Sequence, residues 1–574
     1  MDVGQRPIWE QQAVDECSAE AISKSLDLDK CIARILVQRG IETFEQAQPF
    51  LTPTLEQLHD PFLLPDADVA IDRILTAVQK GERIAIHGDY DVDGVTATVL
   101  IRRLLELLDG DVFHFIPHRM NDGYGLRNEG IDQLHQEGAK VVVTVDCGIR
   151  SLGAAERARE LGIDLVVTDH HEPGDVLPSA LAVINPRRKD SEYPCRDLSG
   201  AGIALKIAHG ICIRSGHANW LPAFLKIAAI GTVADIVPLQ GENRVIASLG
   251  LDSLSTGGHT PGLQALLDVS GVSGGRVDSE DVSFRLAPRL NAAGRMSSAQ
   301  LAAELLLSTN TTSFQDCKKL AKHLDELNTA RREQERETTG AVCDAIDAEM
   351  ENTERACHVV WSREWHRGVI GIVASRIVER FKRPAIVITV EGDVAYGSGR
   401  SIPGFDLLGA LEGAKDLLTQ YGGHRQAVGL QLESRNLERF HRQFEQSVAN
   451  ELVLENCVQR LAIDTEIRFA AITHQFVRDL RRLEPFGAGN PRPLFVASGV
   501  RIMDGPHVVK SEHLRMTLRQ GGKRFQAIAW GAAPAINRFQ AGENGLKVAF
   551  SVTENTFRDI TTTQLTIADV KEDG

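Results

Sequence analysis

RIAIHGDYDVDGVTATVLIRRLLELL, residues 83–108, decides how the rest of the chain reads. A short apolar run ends at His87. A turn then carries three carboxylates, Asp89, Asp91 and Asp93, and a long apolar-periodic stretch follows. Strand, acidic turn and helix in that order open a β–α–β unit. The pattern recurs downstream. KVVVTV runs into Asp146-Cys147-Gly148, IDLVVT into Asp169-His170-His171, and LKIAAIGTVA, read as one more apolar strand end, into Asp235. VFHFI and LAVINP are further strand-like runs, and SLGAAERARELG (151–162) is helical. Buried strands alternating with helices indicate an α/β fold with a parallel sheet covered on both faces, and such sheets bind ligands outside the carboxyl ends of their strands.

Four elements thus deliver carboxylates and imidazoles to one edge. Mn²⁺ and Mg²⁺ prefer carboxylate oxygens, and imidazole shifts the preference toward a transition metal. Two ions ~3.5–4 Å apart can share one carboxylate, activate a bridging water and stabilise a leaving phosphate oxygen. Asp91 and Asp93, two apart, can diverge toward neighbouring ions, and Asp146 is the natural bridge. The bland reading stands beside this one. A lone Asp after a strand is usually a helix cap or turn residue. Asp169 reads that way, as an orienter of the His pair, and Asp89 reads equally as an outer partner of the cluster. Cys147 reads as a small packed residue. The coincidence of all four sites carries the metal reading.

Outward from this centre, 574 residues exceed one compact core. Hydrophobic residues at 43% and charged residues at 25% exclude a largely disordered or fibrous chain. No run of about 18 apolar residues is present, so a membrane span is not expected, and the polar, acidic start argues against a secretory signal. Nine scattered cysteines without a CxxC pair argue against a disulfide framework and suit a reducing cytoplasm. Net charge is −15, but residues 456–574 hold 16 Lys+Arg against 12 Asp+Glu, a basic tail on an acidic body.

Residues 1–69 read as a helical extension and Pro-rich connector, and 70–313 as the catalytic α/β domain. Residues 314–350, without Pro and with Gly340 as the one glycine, read as a long connecting helix. A smaller α/β domain follows over 351–454, with HVVWS, AIVITV and VAYGSGR as strands. In 455–574, RMTLRQGGKRFQAIAW reads as a hairpin through Gly521–Gly522 and LKVAFSVTENTFRDITTTQLTIADV as two strands, which suits an oligonucleotide-binding (OB-like) β-barrel.

HGDYDVDG, VDCGI, TDHH and TVADIVPL, in this order and spacing, resemble the four motifs of the DHH phosphoesterase superfamily. Gly422-Gly423-His424 resembles the GGH signature of the DHH-associated domain. PHRMNDGYGL (117–126), APRLNAAGRM (287–296), WHRGVIGIVASRI (365–377), GSGRS (397–401) and PFGAGNPRPLF (485–495) narrow the resemblance to the RecJ family of single-strand-specific 5′→3′ exonucleases, over about residues 25–574. Asn121-Asp122 before GYGL departs from the family, where a Glu next to Gly is more usual.

The resemblance implies two Mn²⁺ or Mg²⁺ ions, one on Asp91, Asp146 and His87, the other on Asp93, Asp146, His170 and Asp235. It implies that His171 faces the scissile phosphate and that His424, beside the close-approach glycines Gly422 and Gly423, contacts substrate from the opposite wall of a cleft. Arg119, Arg289, Arg295 and Arg400 lie in loop-like motifs and read as phosphate contacts or as ion pairs. Ser398 and Asn291 read as phosphate or substrate contacts or as turn residues. Tyr124 and Trp365 read as base-stacking or as packing residues. The family further implies a monomeric, cytoplasmic enzyme of recombination and repair, working on single-stranded DNA alongside a RecQ-type helicase and the single-stranded-DNA-binding protein.

Two other readings compete with a metal-dependent exonuclease that releases 5′-mononucleotides. A phosphoesterase for oligonucleotides of a few residues, cyclic dinucleotides or pyrophosphate would use the same motifs, but has no need of residues 455–574. A non-catalytic nucleic-acid scaffold would be expected to have lost metal ligands.

Overall fold

The computed structural model describes residues 7–120, 125–350, 355–452, 460–539, 545–557 and 560–573. The chain forms two compact units. One comprises Pro49–Arg332 and Leu483–Pro491, the other Met1–Gln48, Glu333–Arg482 and Arg492–Gly574.

The first unit is built on a five-stranded parallel sheet. Ile84–His87 lies between Val112–Phe115 and Val141–Val145, followed by Asp164–Thr168 and Ala182–Ile184. Ile84–His87 and Val141–Val145 are buried at every position, as strands covered on both faces must be. Alternate residues feed opposite cores. Ile84, Ile86, Val141 and Val143 pack with the helices Ala67–Lys80, Val92–Leu107 and Gly200–Arg214. Ala85, Val142, Leu165 and Val167 pack with Asn128–Gln136 and Leu152–Glu160.

LKIAAIGTVA is a helix, Leu225–Ala234, and not a strand. Its small and aliphatic residues are buried nearly all round, so no polar face marks the 3.6-residue period, and a short wholly apolar run is ambiguous by pattern. Asp235 is the C-cap of this helix and therefore reaches the site from a helix end. APRLNAAGRM is likewise a helix, Ala287–Met296, so Arg289 and Arg295 do not lie on loops. Pro288 is tolerated because it sits in the first turn.

The helix Phe314–Met350 begins in the first unit and ends in the second, which holds a five-stranded mixed sheet. His358–Ser362 and Ala385–Glu391 are parallel, while Val394–Arg400, Ala427–Glu433 and Leu418–His424 continue antiparallel. Ile386 and Ile388 face one core, Ala385 and Val387 another. The C-terminal strands Phe495–Val509, His513–Gln520, Lys523–Ala529, Ile560–Glu572 and Leu546–Phe557 pair in that order, and the last returns to the first, closing a barrel. The expected hairpin turns at Gly521–Gly522, with Gln520 opposite Lys523. Among the described residues no helix is long and apolar enough to cross a membrane, and no described cysteine is in a disulfide.

Candidate metal centre and active site

The site of the first unit gathers at the carboxyl ends of three adjacent strands. Asp91 caps the helix Val92–Leu107, accepting from the Gly94 N–H at 3.1 Å. Asp93, in the first turn of that helix, accepts from the Gly200 and Ala201 N–H groups at 2.6 and 2.8 Å. These are the first amides of the helix Gly200–Arg214, whose positive end favours a carboxylate. Asp146 follows Val141–Val145 in a left-handed conformation, φ +61°, an uncommon one for a non-glycine residue and typical of functional sites. Gly200 lets the helix approach it: a Cβ there would stand 2.6 Å from Asp146 Oδ1.

Asp169 accepts from the Ile149 N–H at 2.9 Å and the His171 N–H at 3.0 Å, and its Oδ1 lies 2.7 Å from His171 Nδ1. Of the His pair that the sequence suggested it orients, it holds His171 directly. Burial alone would raise the Asp169 carboxyl, but the His171 hydrogen bond and charge bring it below its usual value. The reciprocal contact lifts His171 above 6.5 despite burial.

Among the described residues, three groupings place one ligand atom per residue within 4.8 Å of one another: Asp146, His170 and His171; Asp93, His170 and Asp235; Asp89, Asp91 and Asp146. Asp146 joins two of them, and Asp89 is drawn in where the sequence left its part open. His87 belongs to none. It is buried beneath the site with Nδ1 3.6 Å from Cys147 Sγ and its ring 5.5 Å from that of Phe115.

The donor set fits divalent cations. His170 Nε2 lies 3.2 Å from Asp146 Oδ1 and 3.6 Å from Asp235 Oδ2, yet none of these three buried atoms makes a hydrogen bond. Burial, with His171 adding to it, drives His170 down to about 3, so its nitrogen faces the carboxylates as a neutral donor. Burial first, then mutual repulsion, raises Asp93 to about 7, Asp89 to about 8, Asp235 to about 9, and Asp146 well above 3.8. Such a set is costly as anions and relieved by positive charge. Octahedral ligands at ~2.1 Å from one ion lie roughly 3 Å apart, the spacing of His170 and Asp146.

Comparison with known proteins agrees. The DHH family, N-terminal domain, matches residues 83–232, the DHHA1 domain residues 354–450 and the RecJ OB domain residues 463–569. The single-stranded-DNA-specific exonuclease RecJ of Salmonella typhimurium is 33% identical over 568 residues, covering 95% of this chain and 96% of that protein. The chain belongs to the RecJ family. The RecJ of Bacillus subtilis is 35% identical over 91% of this chain, which spans 65% of that longer relative. The crystal structure of RecJ in complex with Mn²⁺ from Thermus thermophilus superposes with a TM-score of 0.83 at 28% identity, covering 98% of this chain and 79% of that one. The Mg²⁺ complex of the same protein gives 0.77.

The remaining expected residues of this RecJ-family chain are spread over both units. Arg119 lies beside the metal centre, its guanidinium 4.2 Å from the Tyr90 ring centroid. Arg289 forms a two-nitrogen ion pair with Asp325 at 2.8–2.9 Å, the alternative left open for it, while Asn291 and Arg295 are half-buried on the same helix. Tyr124 lies outside the described residues.

In the second unit Arg400 stands opposite Ala427, which stands opposite His424, and Ser398 aligns likewise with Gly429 and Gly422. Residues two apart on a strand share a face, so Ser398, Arg400, Gly422 and His424 line one side of the sheet, with Gly423 between. Arg400 donates to Ser398 Oγ at 3.2 Å, and the start of the helix Ile370–Phe381 approaches both. Ser398 and Arg400 are strand residues and not part of a loop. The Trp365 carbonyl accepts from Thr389 Oγ1 at 2.6 Å, and its ring packs beside the helix core.

The barrel carries a feature the sequence reading missed. Arg501, Arg519 and Arg524 stand opposite one another across three strands, all exposed. Like charges directly opposite destabilise a sheet, and an anion along the row offsets that cost. The signal was present: Arg519 and Arg524 are each two residues from the Gly521–Gly522 turn.

Proposed function

We propose that this chain is a metal-dependent exonuclease that degrades single-stranded DNA in the 5′→3′ direction to 5′-mononucleotides. The observation that carries the reading is the convergence of Asp89, Asp91, Asp93, Asp146, His170 and Asp235 at one sheet edge, with four carboxyls pushed up by burial and by one another. The names and metal complexes of its RecJ relatives supply the substrate class and the cations. Asp91 and Asp146 would hold one Mn²⁺ or Mg²⁺, joined by Asp89, with His87 behind them. Asp93, Asp146, His170 and Asp235 would hold the other.

When bound, the two cations supply Lewis-acid activation of water and stabilisation of the departing 3′ oxygen. The residues do the rest. Asp169 fixes Nδ1 of His171, so the proton this imidazole exchanges with substrate is at Nε2, where it can pass to the leaving oxygen. Water attacks the phosphorus, the P–O3′ bond breaks, the terminal nucleotide leaves with a 3′ hydroxyl and the phosphate stays on the next residue. Ser398, Arg400, Gly422, Gly423 and His424 form the substrate face of the second unit, with Arg119, Asn291 and Arg295 as further contacts. The Arg501–Arg519–Arg524 row tracks the phosphates of the strand. This assignment takes residues 70–313 as catalytic, 351–454 as the DHH-associated domain and 455–574 as the strand-binding barrel. The enzyme acts as a cytoplasmic monomer in recombination and repair, beside a RecQ-type helicase and the single-stranded-DNA-binding protein.

The test is a single strand of about 50 nucleotides labelled separately at each end, with Mn²⁺ and with Asp146→Ala as control. Early mononucleotide release from the 5′ label alone, lost in EDTA, on duplex and in the variant, is the expected result. Cleavage only of fragments of a few nucleotides would favour the small-substrate phosphoesterase, and binding without cleavage the scaffold.

A further inference from the structure

The PFGAGNP stretch has no part in the chemistry above. Leu483–Pro491 belongs to the catalytic unit, although the chain up to Arg482 and from Arg492 belongs to the other. The segment is held firmly. Asn490, 1% exposed, donates Nδ2 to the carbonyls of Leu483 at 2.8 Å and Pro485 at 2.7 Å. Gly487 and Asn490 exchange backbone hydrogen bonds at 2.9 and 3.1 Å. Buried Arg244 donates to the carbonyls of Leu483 and Glu484, and Ser279 Oγ to that of Phe486.

What the segment lies against is the turn after Asp235. The Leu239 N–H donates to the Ala488 carbonyl at 2.8 Å, and Gln240 Nε2 to the Gly489 carbonyl at 2.8 Å. Gly489 sits at φ +69°, and a Cβ on it would stand 3.0 Å from Pro238 Cβ; one on Gly487 would stand 2.7 Å from Leu239 Cδ1. From the other side Asn243 Nδ2 donates to the Pro238 carbonyl at 3.1 Å. Within the turn so gripped, Ile236 is held at φ +63° and is 74% exposed. A β-branched residue keeps that conformation only where its surroundings over-determine it.

We infer that residues 483–491 are a positioning element for Asp235: by gripping Leu239 and Gln240 they hold Ile236 left-handed and so aim the Asp235 carboxylate at His170. Gly489 and Gln240 are its positioning residues. The inference rests on the reading of Asp235 as a cation ligand. Without the grip Ile236 relaxes and Asp235 turns away from His170 and Asp93, while the Asp91 side of the cluster keeps its own supports.

The test uses the full chain and Mn²⁺ alone, with free Mn²⁺ followed by electron paramagnetic resonance during titration, for wild type, Asp235→Asn, Gly489→Ala and Gln240→Ala. Wild type should bind two ions and Asp235→Asn should lose or weaken one. Gly489→Ala should weaken that same ion by about 10-fold or more, the usual effect of removing an outer support, and leave the other within about twofold. Gln240→Ala, a mild surface change, should shift it in the same direction and carries the test if Gly489→Ala does not fold. On the single-strand substrate kcat should fall with KM unchanged, and raised Mn²⁺ should restore it. If Asp235→Asn keeps both ions, the ligand reading fails. If Asp235→Asn loses one but the folded loop variants bind both as wild type does, even with a lowered melting temperature, the segment is only structural and the inference is wrong.

Discussion

Asp146 sits where the cluster's mutual repulsion is greatest, with Asp93, Asp91, Asp235 and Asp89 all raising it after burial. Asp146→Asn removes one charge and one shared oxygen, so nuclease activity should fall on the order of 10³-fold, read as initial rate on labelled single strand at saturating Mn²⁺. A pH prediction follows from the same residues. Acids raised in the folded state bind protons that the unfolded chain releases near pH 4, so their contribution to stability is present at low pH and is lost as pH rises through the folded values. In EDTA the melting temperature should therefore drop from about pH 4, where these carboxyls ionise in the unfolded chain, and level off by about pH 9, as Asp93, Asp89 and Asp235 ionise in the folded state at about 7, 8 and 9. Asp146→Asn should flatten that drop, and Mn²⁺ at about pH 8 should reverse it; a flat profile in EDTA would count against the cluster. At this scale the ligand types were legible because Asp and His recur after apolar runs. The exclusion of His87 from the groupings and the drawing in of Asp89 were not, since both depend on which way a side chain turns at a strand end.

Helix starts set the site as much as strands do. The first turn of Gly200–Arg214 gives two amides to Asp93 and leaves no room for a side chain beside Asp146. Gly200→Ala should cut activity at least about 100-fold through displacement of that carboxylate, while circular dichroism shows an intact fold. Unchanged kinetics would mean the helix is less closely fitted than it looks. The barrel strands carry a second prediction. Charge reversal of Arg519 and Arg524 should raise KM for a long single strand several-fold, spare kcat, and reduce the salt slope of binding by about two. Strand and helix periods announced most elements, including the long helix and the Gly521–Gly522 hairpin. Leu225–Ala234 and Ala287–Met296 escaped because a wholly buried apolar run has no period to read, and because Pro and Gly in the second suggested a loop.

Across the whole molecule, the order of motifs carried more than composition did. A net charge of −15 argues superficially against a nucleic-acid partner, yet five of the carboxylates gather in the metal-ligand groupings, and exposed arginines align on the barrel. The two-unit division could not be read from the sequence, because it interrupts the chain order: Leu483–Pro491 returns to the unit of Pro49–Arg332 after the second sheet is complete. Contacts so distant along the chain leave no local pattern beyond the glycines that permit them. One cluster, shared through Asp146, has the ligands for two cations. Crystals of the full chain soaked in Mn²⁺ and measured at the manganese absorption edge test it most directly. Two anomalous peaks ~3.5–4 Å apart are expected, bridged by Asp146, one toward Asp91 and the other toward His170 and Asp235. A single peak, or peaks away from Asp146, would contradict it.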